Sequence, residues 1–165
     1  MAPAGMEALP LGQAVRASGG HLLDVCGQPT VWKAVRMLRT SCHCGAISVE
    51  VMRRPAQITE CNCSICRRYG ARWAYYPRSS TKIAAPAGAR AEYARGEDLH
   101  FDHCRRCGCV VLYKPIVSTG DSDRLGINMR LLEDPDALAG IKVRRFDGAR
   151  SWKVAGSRIL KQPGW

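Results

Sequence analysis

Apolar and polar residues alternate along much of this chain. Residues 46–52 alternate in this way before Pro55, and residues 141–146 do so before the turn signal Asp147-Gly148. The side chains of a half-buried strand point to core and solvent in turn, so both patterns predict strands. Shorter strand candidates lie at residues 72–76, 81–84, 91–94, 99–103, 110–113 and 124–128. Since no segment keeps a helical period over three turns, we predict a small, irregular, mainly β fold.

Helical signals are short. Residues 64–69 are long enough for one helical turn before Gly70, and Asp134-Pro135-Asp136 opens a second short turn. Glycine commonly ends a helix, and proline is well tolerated in a first turn.

The first 36 residues differ in composition from the rest of the chain. Residues 1–20 are rich in Ala, Gly and Pro, and no apolar period persists through them. We therefore predict a poorly ordered extension over residues 1–36 and a domain over residues 37–165, with Met37 as the functional start. No secretory signal is evident, and no apolar run reaches the roughly 18 residues of a membrane span. These features predict a cytoplasmic protein.

Cysteines are the most distinctive candidates for chemistry, and eight of the nine fall into three clusters. The clusters are Cys42-His43-Cys44, Cys61-Asn62-Cys63-Ser64-Ile65-Cys66 and Cys104-Arg105-Arg106-Cys107-Gly108-Cys109. Such spacings let sulfurs converge on a tetrahedral zinc ion with bonds of roughly 2.3 Å, whereas a disulfide between near neighbours would strain the backbone. Without an export signal, the pattern favours zinc. Spacing alone leaves open how the clusters share the ions, and Cys26 is interpreted as a bystander.

The formal net charge of +11 first suggests a nucleic-acid partner. Seven zinc-bound thiolates and two zinc ions would lower it to about +8. Four arginines adjoin the cysteines and either neutralise the thiolates or hold an anionic ligand; they are Arg67, Arg68, Arg105 and Arg106. The basic residues are scattered and no helix resembles a groove reader, so nucleic-acid binding is the weaker interpretation. A purely structural zinc scaffold is a further alternative.

The ordered cysteine motifs resemble the glutathione-dependent formaldehyde-activating family, which includes centromere protein V. The motifs are Cys-His-Cys-Gly-Ala at 42–46, Cys-Asn-Cys-Ser-Ile-Cys-Arg-Arg at 61–68 and His-Cys-Arg-Arg-Cys-Gly at 103–108. Asn-Met-Arg at 128–130 and Asp-Gly-Ala-Arg-Ser-Trp at 147–152 are also similar. The resemblance, over residues of about 38–153, implies an Mss4-like β-tent.

The resemblance also implies two zinc sites and a reaction. A closed structural site would comprise Cys42, Cys44, Cys104 and Cys107. A second site would hold zinc through three thiolates and keep a position open for water or substrate, as catalytic zinc does; its residues would be Cys61, Cys63 and Cys66. The implied activity is that of a carbon–sulfur lyase that joins glutathione to formaldehyde and gives S-hydroxymethylglutathione.

Neighbouring residues complete the expected site. Arg67 and Arg68 are the candidates for binding the glutathione carboxylates. Trp73 and Tyr75 either wall the pocket or, as strand aromatics more often do, belong to the core. His43 and His103 adjoin ligands but are expected to be structural or solvent-facing rather than general bases.

Cys109 departs from the family pattern, which often has a small hydroxyl residue at this position. We expect a buried thiol that packs as a small apolar residue. In two alternatives, it stays near the structural zinc as a spare thiol, or it completes four thiolates at the central cluster and closes the open position. The sequence leaves the oligomeric state open.

Overall fold

A computed structural model of the protein describes residues 37–120 and 123–161. The strands are β1 (Leu38–Ser41), β2 (Ser48–Val51), β3 (Gln57–Cys61), β4 (Arg72–Pro77), β5 (Thr81–Ala84), β6 (Arg90–Arg95), β7 (Leu99–Cys104), β8 (Val110–Pro115), β9 (Arg124–Asn128), β10 (Lys142–Asp147) and β11 (Lys153–Ile159). They are joined by a short α-helix, α1 (Ser64–Tyr69), and by 3-10 turns at Arg78–Ser80, Met129–Leu131 and Pro135–Leu138. The predicted mainly β class is confirmed.

The predicted extension over residues 1–36, with Cys26, lies outside the described residues, so the domain boundary at Met37 stays a prediction. No helix in the described ranges is long and apolar enough to cross a membrane.

Most of the predicted strands are present within two residues of their expected ends, and α1 has the bounds that the sequence predicts. It ends at Gly70, whose φ of 59° is the left-handed conformation that glycine adopts without strain. The alternation of residues did not predict β1, β3 and β11. The strand β3 buries the consecutive residues Ile58 and Thr59, and β11 is exposed along its whole length, so neither shows a clear two-residue period.

The strands form two sheets. A small antiparallel sheet has the order β1-β2-β5, and a larger one has the order β11-β10-β3-β4-β9-β8-β7-β6. Within the larger sheet, β10 runs parallel to β3, and the register places Phe146 opposite Cys61. The three cysteine clusters thus lie at strand ends: after β1, after β3, and in the turn between β7 and β8.

Residues of the larger sheet pack on both of its faces. On one face, Ala74 and Tyr76 join the main core, which also contains Val49 and Val51 of the small sheet. On the other face, the alternate residue Trp73 belongs to a second cluster with Cys63, Cys66 and Phe101. The side-chain period of two therefore places β4 between the core and the central cysteines.

A buried asparagine explains the Asn-Met-Arg motif at 128–130. Asn128 is 4% exposed, and its side-chain amide donates to the carbonyl of Val110 at 2.9 Å. Its oxygen accepts hydrogen bonds from the amides of Arg130, at 3.2 Å, and of Arg72, at 3.4 Å. Asn128 thus links the end of β9 to β4 and β8, which gives this residue of the motif a structural role.

Candidate metal centres and adjoining cavity

The first and third cysteine clusters meet in space. The sulfurs of Cys42, Cys44, Cys104 and Cys107 all lie within 4.8 Å of one another. The Sγ–Sγ distances from Cys44 to Cys42 and to Cys104 are both 3.6 Å. A disulfide requires about 2.05 Å, whereas four bonds of about 2.3 Å to a tetrahedral ion place sulfurs ~3.8 Å apart. The spacing fits a four-thiolate metal site.

Tight turns bring these sulfurs together. The backbone amide of Ile47 donates to the Cys42 sulfur at 3.2 Å, and Gly108, with φ at 72°, donates to the carbonyl of Cys104 at 2.9 Å. A hydrogen bond from the backbone amide of Cys109 lowers the pKa of the Cys107 thiol to about 6, while burial raises the pKa of Cys42 to about 12. A bound cation would favour the thiolate form at all of these positions.

The central cluster brings three sulfurs together. The sulfurs of Cys61, Cys63 and Cys66 lie within 4.8 Å of one another, and no other Cys, His, Asp or Glu among the described residues joins that group. Cys61 ends β3, Cys63 precedes α1, and Cys66 lies inside the helix. A single turn of chain therefore supplies three ligand atoms, and any fourth ligand must come from elsewhere.

The surroundings of these three thiols differ. The indole N–H of Trp73 donates to the Cys66 sulfur at 3.3 Å, although burial still raises the pKa of that thiol. At Cys63, burial raises the pKa, but hydrogen bonds from the Cys66 backbone amide and from neighbouring thiols and amides together outweigh it and lower the pKa overall. Trp73 is therefore both a buried core residue and part of the wall that faces the central cluster, the two roles considered from the sequence.

An apolar cavity of about 140 Å³ opens directly onto the central cluster. All three thiols of the cluster line the cavity, and six of its thirteen lining residues are aromatic: Trp73, Tyr75, Phe101, Tyr113, Phe146 and Trp152. Gly126 makes room for one of these rings, since a β-carbon there would lie 2.2 Å from the Tyr113 ring.

A polar groove of about 290 Å³ adjoins the same cluster. Cys61 and Phe146 line both the cavity and the groove, and the groove also carries Arg67 and Arg145. The other predicted arginine, Arg68, donates instead to the carbonyl of Ser64 at 2.6 Å and lines neither space. The sequence missed Arg145, which lies 78 positions beyond Arg67 and reaches the groove through the parallel pairing of β10 with β3.

The loop 147–152 packs against the central cluster and is held there by hydrogen bonds. The Asn62 side chain donates to the Asp147 carboxylate at 2.8 Å and accepts from the amide of Ala149 at 2.9 Å. The amide and hydroxyl of Ser151 donate to the other carboxylate oxygen of Asp147 at 3.1 and 2.8 Å. Hydrogen bonds from Asn62 and Ser151 hold the pKa of Asp147 at about 2. The carboxylate therefore keeps these bonds as the pH falls, until the pH approaches that value.

Gly148 of this loop packs directly against the central cysteines. A β-carbon at Gly148 would lie 2.7 Å from the Cys61 sulfur and 3.0 Å from the Cys63 β-carbon. We expect Gly148→Ala to displace the loop or Cys61 and to lower the metal content of the central cluster, while the four-cysteine site keeps its metal. Metal analysis of the purified variant tests this, with the exposed neighbour substitution Ala149→Ser as the control. A Gly148→Ala protein with the metal content of the parent would contradict it.

The remaining candidates lie away from both spaces. His43 is exposed, His103 pairs with Ala91 within the sheet, and neither lines the cavity or the groove. Cys109 is half-buried against the main core, and its sulfur is not in the central group. The Cys109 thiol interacts with Cys107 and Cys104 and with the backbone of His43, so it lies beside the four-cysteine site. The structure gives no support to Cys109 as a fourth central ligand.

Comparison with known proteins places the chain in a family. Residues 37–144 match the family model described as glutathione-dependent formaldehyde-activating enzyme. A crystal structure of a Rhodobacter sphaeroides protein superposes with a TM-score of 0.51 at 28% sequence identity, covering 62% of this chain and 96% of the other. The family match includes all of the clustered cysteines, and the loop 147–152 lies beyond it. Because the match spans well over half of the sequence, this chain belongs to the glutathione-dependent formaldehyde-activating enzyme family.

Proposed function

We propose that this protein is a zinc-dependent carbon–sulfur lyase of the S-hydroxymethylglutathione synthase type, with two zinc ions per chain. The observation that carries the proposal is the contrast between the cysteine sites. Four sulfurs surround the first site, whereas three surround the second, and these three line a cavity. A closed four-ligand set is typical of structural zinc, and a three-ligand set with an accessible fourth position is typical of catalytic zinc.

The donor chemistry favours zinc at both sites. All of the proposed ligands are thiolates, which select zinc, copper(I) or iron–sulfur clusters over magnesium and calcium. They are Cys42, Cys44, Cys104 and Cys107 at the structural site, and Cys61, Cys63 and Cys66 at the catalytic site. A zinc ion held by three thiolates would favour the thiolate form of a substrate thiol and would polarise a carbonyl oxygen.

The polar groove suits glutathione. Glutathione carries two carboxylates, and guanidinium groups bind carboxylates through paired hydrogen bonds. Arg67 and Arg145 both line the groove, and in the part of the chain that the structure describes neither forms an ion pair with a carboxylate. Two acidic residues also line the groove: Glu60 is already paired with Arg72 and Arg158 at 2.6 and 2.8 Å, and the Asp147 carboxylate accepts hydrogen bonds from Asn62 and Ser151. A ligand in the groove would therefore meet the guanidinium groups of Arg67 and Arg145 together with the ionised Asp147 carboxylate.

The reaction requires no redox partner. The glutathione sulfur bonds to the carbonyl carbon, one electron pair of the carbonyl double bond moves to oxygen, and the proton lost by the thiol ends on that oxygen. The residues of the chain hold the tripeptide in the groove and bring its sulfur to the shared wall at Cys61. Fixing two reactants in this way lowers the entropic part of the barrier.

The uncatalysed reaction is the background for the decisive test. Thiols and aldehydes combine spontaneously, so adduct formation has to be followed by exchange spectroscopy with and without the zinc-loaded protein. We expect a faster exchange of formaldehyde between the free and the glutathione-bound form. Exchange at the background rate for formaldehyde and for larger aldehydes would show that the protein is not this enzyme.

Adjacent arginines provide a matched test of the glutathione groove. Arg67 lines it, whereas the Arg68 guanidinium is directed to the Ser64 carbonyl. We expect Arg67→Ala to weaken glutathione binding about tenfold, since a charge-assisted hydrogen bond contributes roughly 1.5–3 kcal/mol. Arg68→Ala, one position further along the same helix, should cause a clearly smaller loss. Titration calorimetry on the zinc-loaded proteins measures both, and equal losses would contradict this assignment.

A further inference from the structure

We infer that the aromatic cavity receives the substituent of the aldehyde, and that the substrates of this protein include aryl aldehydes. This inference rests on the proposed function and names the substrate class of the same site. The cavity and the groove share Cys61 and Phe146, so a thiol adduct bound there could extend one part into each of the two spaces. The polar tripeptide fits the groove, which leaves the cavity for the part that comes from the aldehyde.

Size is the first argument. The cavity measures about 140 Å³, close to the apolar cavity of about 150 Å³ that binds benzene in a well-studied engineered protein. Formaldehyde contributes a single carbon to the adduct and would leave most of this space unfilled. A phenyl group would fill it.

The chemistry of the wall is the second argument. Trp73 packs edge-to-face against Tyr113 with ring centroids 4.8 Å apart, and Phe101 lies 5.3 Å from the same Tyr113 ring. Ile65 and Leu99 complete an apolar surface, and Arg95 is the one basic residue that lines the cavity within the described ranges. Aromatic rings favour offset or edge-to-face contact with another ring, so this lining selects an aryl group over a small hydrated carbonyl.

The position of Trp152 is the third argument. Its φ of 54° makes it the one non-glycine residue with a left-handed backbone among those that the structure describes. The backbone is held there by a hydrogen bond from its amide to the Asp147 carbonyl at 2.8 Å. Trp152 is 60% exposed yet lines the cavity, and its ring meets that of Phe146 edge-on, with the ring centroids 6.0 Å apart. Strained backbone of this kind persists where the surrounding structure enforces it, commonly at ligand sites.

These features give Trp152 the role of an outer wall. The loop 147–152 packs against the central cluster at Gly148, and its last residue adds a large, partly exposed ring to the lining of the cavity. An aryl substituent would be enclosed between this ring and the buried aromatic residues. The bond changes are those given above for glutathione and formaldehyde, with an aryl group in place of one hydrogen of the aldehyde.

Binding of two inert analogues tests this preference without relying on turnover. S-methylglutathione and S-benzylglutathione are the deoxygenated counterparts of the formaldehyde and benzaldehyde adducts. We expect the zinc-loaded protein to bind S-benzylglutathione at least about tenfold more tightly, because burying a phenyl group is worth roughly ten- to a hundredfold in affinity. Trp152→Ala should reduce this ratio, and Tyr93→Ala, which removes a 51%-exposed aromatic residue outside the cavity, should leave it unchanged.

A second variant tests the inner part of the cavity. Ile65→Trp would place a larger side chain inside it, so the affinity ratio of the benzyl to the methyl analogue should also fall. Melting curves of each variant establish that the protein is folded. A benzyl preference that survives both Trp152→Ala and Ile65→Trp would overturn the assignment of this cavity.

Exchange measurements with benzaldehyde and formaldehyde separate the two proposals. Acceleration with both aldehydes, together with the benzyl preference, supports both. Acceleration with formaldehyde alone and equal affinities for the two analogues would overturn the aryl preference and leave the proposed function standing. A benzyl preference without acceleration of either aldehyde would overturn the lyase function while supporting the aromatic cavity as the binding site. Equal affinities without acceleration would overturn both.

Discussion

Replacing Cys104 with alanine is expected to unfold most of the domain. Cys104 is fully buried and contributes one of the four sulfurs that join the β1–β2 turn to the β7–β8 turn. Structural zinc contributes apparent folding free energy on the order of 10 kcal/mol, and domains are typically stable by only about 5–15 kcal/mol. Loss of this metal would therefore remove a large share of the free energy of unfolding, or all of it.

Metal content and thermal unfolding check this expectation together. The Cys104→Ala protein should show a loss of bound zinc and of its cooperative melting transition, and a chelator should have the same effect on the parent protein. Cys109→Ser is the matched control, because Cys109 lies beside Cys107 without belonging to the four-sulfur group. A Cys104→Ala protein that melts like the parent would rule out a structural metal at this site.

Replacing Cys63 with alanine is expected to abolish activity and to leave most of the fold. The three central sulfurs all come from one short segment of chain, and the main core lies on the other face of the larger sheet. Losing one of three ligands should therefore empty this site without separating distant parts of the chain. We expect the zinc content to fall from two ions to one and aldehyde exchange to return to the background rate.

The fold of the Cys63→Ala protein can be compared with that of the parent in the same preparation. Circular dichroism should show a β-rich spectrum close to that of the parent, with a moderate fall in melting temperature, since Cys63 is 6% exposed and its sulfur packs in the second cluster. A Cys63→Ala protein that retains two tightly bound zinc ions, or full activity, would contradict the three-ligand assignment. Together with Cys104→Ala, this variant separates the metal proposed to stabilise the fold from the metal proposed for chemistry.

Local patterns in the sequence predicted much of the fold. The alternation in residues 141–146 corresponds to β10, and the helical turn predicted at 64–69 is α1. These predictions succeed because side-chain period and turn chemistry act over a few residues. By the same reasoning, the spacing of Cys61, Cys63 and Cys66 was enough to predict that their sulfurs converge.

Long-range packing decided the surroundings of the candidate site. Cysteine spacing alone left open how the clusters share metal, and it is the folded chain that brings the Cys44 sulfur to 3.6 Å from that of Cys104, 60 positions away, as the family resemblance implied. The sequence pattern predicted a turn at Asp147-Gly148, and the parallel pairing of β10 with β3 places that turn against Asn62 and Cys61. Sequence proximity likewise could not show that Arg67, and not Arg68, lines a groove with Arg145. Ligand spacing within one turn is a property of local chain geometry, whereas the shape and charge of a cavity depend on strands that meet only when the sheet has formed.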